Sequence, residues 1–230
     1  MKRIAFIITL LIVSSCAKDN SNFILKGTIK GLKKGTVYLQ KIEDTLLVSI
    51  DSVNIIGETE FELRTHLDAP EVLYLKLDKQ GEENNLIPFF AAEGITEINT
   101  TLKNFLMDAK IIGSEQQEKM EEYQLMMDKF KDKNLDLIRD NLEAQRSKDS
   151  IQMDSSLKEY NNLIVRKYLY TINFAINNKD SEIAPYLAIS EIPDANLKYL
   201  DTINKALPPE IKSSKYGKAL QDLIDERKKE

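Results

Sequence analysis

Apolar positions along this chain change their spacing once, near residue 114. Between residues 23 and 113 they come in short stretches broken by glycine. Residues 23–29, 36–40, 46–53, 60–64, 72–77, 87–91 and 95–99 read as strands, because β-branched, aromatic and leucine side chains cluster there between turn formers. Phe61 and Leu63 share one face of their strand, and Gly31, Gly35 and Gly57 mark turns. Pro88 has no N–H to give to a ladder, so it weakens its strand or confines it to a sheet edge. Strands of this length between glycine and asparagine turns predict an antiparallel β-sandwich or barrel.

Beyond Ser114 the period becomes helical. Met120, Tyr123, Met127, Phe130, Asn134 and Leu137 recur three and four apart, and Leu157, Tyr160, Ile164, Tyr168, Thr171 and Ala175 form a second stripe. The polar stretch 146–150 predicts the turn of a long antiparallel helical hairpin. Shorter helices follow. One covers about 185–191; another runs from an N-cap at Asp194 to a stop before Pro208 and Pro209. The last starts near Ser213 and Ser214, carries Tyr216, Leu220, Leu223 and Ile224, and ends in the charged residues 227–230. The expected fold class is α+β, with a β-rich domain over 22–114 and an all-helical domain over 115–230.

The first residues follow neither pattern. Lys2 and Arg3 precede an apolar run over 4–13, then Ser14, Ser15 and Cys16. That order reads as a secretory signal peptide over 1–15 and a tether over 16–21. The apolar run falls well short of the ~20 residues a membrane-spanning helix needs. Val13, Ser14, Ser15 and Cys16 resemble the lipobox of Gram-negative lipoproteins. The resemblance implies that the Cys16 thiol receives a diacylglycerol, that the chain is cut before Cys16, and that the new amino terminus takes a fatty acid such as palmitate. Cys16 is thus the expected lipidation site; the alternatives are an ordinary signal peptide with an incidental cysteine and a buried N-terminal anchor. The expected location is the cell envelope, lipid-anchored at the outer membrane on its periplasmic face or at the cell surface. Lys18 and Asp19 loosely resemble short lysine/acidic export signals, with a single acidic residue after the lysine.

Charge narrows the classes of partner. The chain has 32 basic and 37 acidic side chains, and removal of Lys2 and Arg3 with the signal leaves it more acidic. That balance argues against nucleic acid, whose binding rests on neutralising phosphates, and against an electrostatic hold on anionic lipids. Cys16 is the single cysteine. The chain therefore forms no internal disulfide and carries no thiol pair for redox work.

Candidate chemistry is sparse. His66 is the only histidine; as a general base it would need an oriented partner and a nucleophile in reach, and no Gly-x-Ser-x-Gly elbow or zinc-ligand spacing accompanies it. Glu82 with Glu83 and Glu121 with Glu122 are the adjacent carboxylates considered as ligands or an acid/base pair. Neighbours on a helix point about 100° apart, so Glu121 and Glu122 read as a solvated face. Met120, Met126, Met127 and Phe130 read as helix core or, alternatively, as an adaptable partner groove, and Asn134 as a seam residue that fixes helix register. Asp44-Thr45-Leu46, Asp51-Ser52-Val53, Asp149-Ser150-Ile151 and Asp201-Thr202-Ile203 resemble an O-glycosylation pattern of some envelope proteins. No catalytic residue, metal ligand set or cofactor site is assigned.

One resemblance extends over most of the β-rich half. Phe23, Gly27, Ile29 and Gly31 are followed by Gly35, Val37, Tyr38 and Leu39, then by Asp51, Ser52, Val53, Gly57, Phe61 and Leu63. Pro70, Tyr74, Pro88, Phe89, Phe90, Glu93, Gly94, Ile112, Gly113 and Ser114 continue the series. This order resembles a β-rich domain of unknown function at the N-terminus of many bacterial envelope lipoproteins. In those a helical segment follows, then a thioredoxin-like domain of the thiol–disulfide interchange or peroxiredoxin type. The resemblance places that domain just past the final helix. This sequence reaches Glu230 there with no cysteine after Cys16, so the relatives' redox residues have no counterpart in it.

The expected function is that of a non-catalytic, lipid-anchored envelope protein that binds or positions another envelope component. One alternative is an accessory to thiol–disulfide or peroxide chemistry that docks a separate thioredoxin-like protein. Another is a sugar-binding or hydrolytic envelope protein, since sandwiches host many functions. The expected partners are the membrane, through the lipid, and an envelope protein, with no nucleic acid.

Overall fold

Strand alternation builds two sheets that share one core. The computed structural model describes residues 20–78 and 86–229, and in them eight strands precede six helices. The strands are β1 (Phe23–Lys30), β2 (Lys34–Glu43), β3 (Leu46–Ile56), β4 (Glu60–Thr65), β5 (Glu71–Asp78), β6 (Leu86–Ala91), β7 (Gly94–Thr101) and β8 (Lys110–Ile112). One sheet has the order β4-β1-β7-β8 and the other β3-β2-β5-β6. Phe23, Leu25 and Ile29 of β1, Val37 and Leu39 of β2, Leu73, Leu75 and Leu77 of β5 and Phe89 of β6 point into the common apolar interior. This is a sandwich with an α-helical half behind it, the α+β class that the two periodicities predict.

Two features depart from the expected antiparallel sheets. β1 and β7 run parallel, in register from Phe23 opposite Gly94 to Lys30 opposite Thr101. Gly27, opposite Ile98, makes that pairing possible: a Cβ there would overlap the Ile98 carbonyl oxygen and crowd the Phe61 ring. Strand β8 is a short addition that residue spacing does not reveal. A β-bulge between Leu39 and Gln40 shifts the β2–β3 register and leaves Gln40 buried, with its Nε2 donating to Ser49 Oγ at 2.9 Å.

The helices are α1 (Glu115–Ser147), α2 (Ser150–Asn177), α3 (Ile183–Glu191), α4 (Leu197–Ala206), α5 (Pro209–Ser213) and α6 (Lys215–Arg227). The hairpin turn is tight. Lys148 takes a left-handed conformation, and Asp149 caps α2 by accepting from the Ile151 and Gln152 N–H groups. The cap of α4 is Asn196, not Asp194: its carboxamide reaches the Lys198 N–H at 2.9 Å. Pro209 opens the extra helix α5, since a proline at the first helical position costs no hydrogen bond. Ile172, Ala188, Ile203, Leu220 and Ile224 form a second core among α2, α3, α4 and α6.

A third core joins the halves. Val72 and Phe90 of the sheet pack with Tyr123, Phe174, Ile183, Leu187 and Tyr216 of the helices. Strand β6 is an edge strand, as Pro88 implies, but its edge is buried. The Phe90 N–H donates to Gln117 Oε1 at 2.8 Å, and the Phe90 carbonyl accepts from Ser114 Oγ at 2.8 Å. By the two-residue period of a strand, the position of the absent Pro88 N–H lies on this same outward side. Ser114 also caps α1 by accepting from the Gln117 N–H. On β5, Val72 lies one residue past the last position in register with β2, and its N–H donates to the Tyr216 hydroxyl at 2.8 Å.

Removing that hydroxyl strands a buried donor, which costs about 1–3 kcal/mol. Tyr216→Phe should therefore lower the urea midpoint by a corresponding amount with little change in the slope. An unchanged midpoint would show that the Val72 bond does not contribute to docking.

Candidate functional site

A cleft sits where the hairpin leaves the sheet, with a volume of about 680 Å³, within the range of ligand pockets. Val72, Pro88, Phe89 and Phe90 form its floor; Met120, Tyr123, Met127, Phe130 and Asn134 of α1 form one wall. Tyr160, Leu163, Ile164 and Lys167 of α2 and Tyr186 and Glu191 of α3 form the rest. At Phe90 the floor is closed to strand addition, because Ser114 and Gln117 already occupy its outward polar groups.

Aromatic rings hold the walls rigidly. Tyr123 meets Phe174 edge-on at 5.4 Å between centroids, and Tyr186 meets Phe90 and Tyr216 at 5.5 and 5.1 Å. Burial pushes the Tyr123, Tyr186 and Tyr216 phenols up from their usual range, so they stay neutral. Tyr123 shares a 2.8 Å hydrogen bond with Thr171 Oγ1. Charge around the cleft nearly cancels: Lys167 pairs with Glu191 at 3.4 Å, and Asp128 and Lys131 stand on the α1 side. The lining contains no serine, threonine, cysteine or histidine. Its aromatic and methionine side chains can hold an apolar surface.

Asn134 is a polar residue of the lining. Its Oδ1 is buried and has no hydrogen-bond partner, so it does not act as a paired seam residue. Met120, Met127 and Phe130 line the open cleft, as the groove alternative proposes, while Met126 lies apart from it. The second stripe departs further from a core. Leu157, Tyr160 and Ile164 are exposed, because the hairpin projects past the other elements that would cover them. Between Gln124 and Tyr170 the only buried side chains are Leu137, Ala144 and Ser156.

The remaining candidates do not converge. His66 is exposed, with Nδ1 3.1 Å from the Asn20 carbonyl oxygen and Nε2 3.5 Å from Asp68. Glu121 accepts from Gln117 Nε2, and Glu122 faces solvent. Cys16, Glu82 and Glu83 lie outside the described residues. Three of the four Asp-Ser/Thr motifs have a structural use for the aspartate. Asp51 accepts from the Ser52 and Arg64 N–H groups, Asp149 caps α2, and Asp201 pairs with Lys205 and Lys228. Among the described residues there is no group of three or more potential metal ligands, and no helix long and apolar enough to cross a membrane.

Residue spacing missed Gln117, Tyr186 and Tyr216 as parts of this site. A signal for the first was present: Ser114 and Gln117 have the spacing of a capping box, with the glutamine turned here to Phe90. Residues 23–120 match the family model described as a domain of unknown function (DUF4369). The matched span covers all eight strands and the first turn of α1, and so includes both residues that hold Phe90. No curated protein and no solved structure matches the chain.

An unpaired buried carbonyl oxygen is costly. Asn134→Leu should therefore stabilise the protein by about 1 kcal/mol in urea denaturation, without altering the far-ultraviolet circular dichroism. A loss of stability would mean that Asn134 Oδ1 has a partner in solution.

Proposed function

We propose that this chain is a non-catalytic, lipid-anchored envelope protein that binds an apolar segment of another envelope component in the cleft between β6 and the helical hairpin. The single observation that carries this reading is the lining of the cleft. It is aromatic, carries two methionines, is nearly neutral, and lacks serine, threonine, cysteine and histidine. Methionine side chains adapt to varied apolar partners at little cost. Because the outward groups of Phe90 are occupied and Pro88 has no N–H to give, the bound segment enters as a helix or as packed side chains rather than as an added strand. The signal pattern ending at Cys16 and the resemblance to envelope lipoproteins support the location.

The test has two arms. Metabolic labelling with a fatty acid should mark the wild type and not Cys16→Ala, which should persist as the larger precursor. In native membranes, a photo-crosslinking residue at Met127 or Ile164 should give one discrete adduct, absent from the same probe at Glu58 in an exposed turn. An unlabelled wild type overturns the anchoring; cleft probes no more reactive than the Glu58 control overturn the site.

A further inference from the structure

We infer that the tip of the β2–β3 hairpin dips into the lipid surface at which Cys16 anchors the chain, and so fixes how the body stands on the membrane. This contact rests on the anchoring at Cys16 proposed above and is independent of what the cleft holds. Strand β2 pairs with β5 only as far as Lys41, opposite Leu73, whereas its pairing with β3 continues to Glu43, opposite Leu46. Residues 42–47 therefore extend past the four-stranded sheet as a two-stranded ribbon, with its turn at Asp44 and Thr45. Ile42 and Leu47 are register partners and share one face; Leu46, opposite Glu43, lies on the other. All three are exposed, Leu46 at 70%. A ribbon with apolar groups on both faces calls for cover on both. A protein partner docks on one face, whereas a lipid interface surrounds the tip.

The place where the described chain begins selects lipid as the occupant. Strand β1 starts at Phe23 opposite Thr65, the last residue of β4. Just before it, the Asn20 carbonyl oxygen lies 3.1 Å from His66 Nδ1, and Asn22 Nδ2 donates to the Leu67 carbonyl at 2.9 Å. These contacts mark the end of the sandwich where β4 stops and β5 starts. Because β2 runs antiparallel to β5, its hairpin tip lies at that same end. Lys41, at the base of the tip, is held above its usual pKa by its hydrogen bond to Glu43, and further by the carboxylates of Glu71 and Asp68. Four residues separate Asn20 from Cys16, a span of at most ~14 Å even when fully extended. That tether keeps this end of the body at the headgroups. Three residues beyond Lys41 carry the ribbon on by ~10 Å, comparable to the depth that interfacial elements reach.

Charge fixes the kind of surface. Lys41 pairs with Glu43 at 2.8 Å, which leaves Asp44 as the net charge of residues 41–47. A strongly anionic surface would repel that carboxylate, whereas a zwitterionic one offers it ammonium groups. The contact is made by apolar side chains at the headgroup level of zwitterionic lipid, so salt has little hold on it.

The full, lipidated chain in vesicles of phosphatidylethanolamine and phosphatidylcholine with spin-labelled acyl chains provides the test. Cys16 is blocked there by its lipid, so a fluorophore attaches only to an introduced cysteine. On Leu46→Cys it should be quenched roughly fivefold or more above the same fluorophore on Met107→Cys, in high salt as in low. Met107 is 85% exposed but lies between β7 and β8 at the opposite end of the sandwich. Adding Ile42→Asp and Leu47→Asp should bring the Leu46 quenching down to the Met107 level while circular dichroism stays unchanged. Equal quenching at the two sites would overturn the contact, as would a Leu46 signal that survives both aspartates or is lost in high salt. Fatty-acid labelling separates the two readings. A labelled chain with an unquenched tip overturns the tip contact alone, whereas an unlabelled wild type overturns the anchoring and the tip contact with it.

Discussion

A strand edge can be buried only if something answers its backbone, and in this protein the answer at Phe90 fixes how the two halves meet. Ser114 Oγ donates to the Phe90 carbonyl while it accepts the Gln117 N–H that starts α1. Gln117 in turn accepts the Phe90 N–H. One residue pair therefore nucleates the long helix and docks it on β6. Without that closure, Phe90 would leave two polar groups unsatisfied in an apolar interface, a larger penalty than the loss of any single contact nearby.

The direction of the hairpin follows from this clasp. Because the start of α1 is fixed against β6, the helix runs away from the sheet, and α2 returns beside it to deliver Phe174 and Thr171 to the joint. Tyr216 of α6 closes the other side at Val72, helped by the ion pair of Lys215 with Glu71. The cleft is the space left between the departing hairpin and the sheet edge. Its apolar lining is the unfilled remainder of the same core that joins the halves.

Much of this was legible in the residues. The seven longer strands lie where the short apolar stretches place them, and the change to helical spacing falls after the last strand, which ends at Ile112. Strands β5 and β6 also held a readable sign that more lies behind them. Val72 and Leu73, and Phe89 and Phe90, are consecutive buried residues, and a strand with apolar groups on both faces has both faces covered. Strand order was not legible, because the two-residue period specifies a face and not a neighbour; the parallel pairing of β1 with β7 shows up only in how closely Gly27 approaches Ile98. Nor did spacing separate core from cleft. Tyr123 and Leu157 occupy similar places in their stripes, yet one is buried in the joint and the other is exposed on the hairpin, since burial depends on what lies opposite.

Amide hydrogen exchange at Phe90 and Val72 tests the clasp most directly. If Ser114, Gln117 and Tyr216 hold the halves as one cooperative unit, both amides exchange only through global unfolding, with the same free energy as the Leu73 and Leu75 amides in the centre of β5. If the two amides exchange at the rates of an exposed edge while Leu73 and Leu75 remain protected, the halves separate without unfolding and the account is wrong.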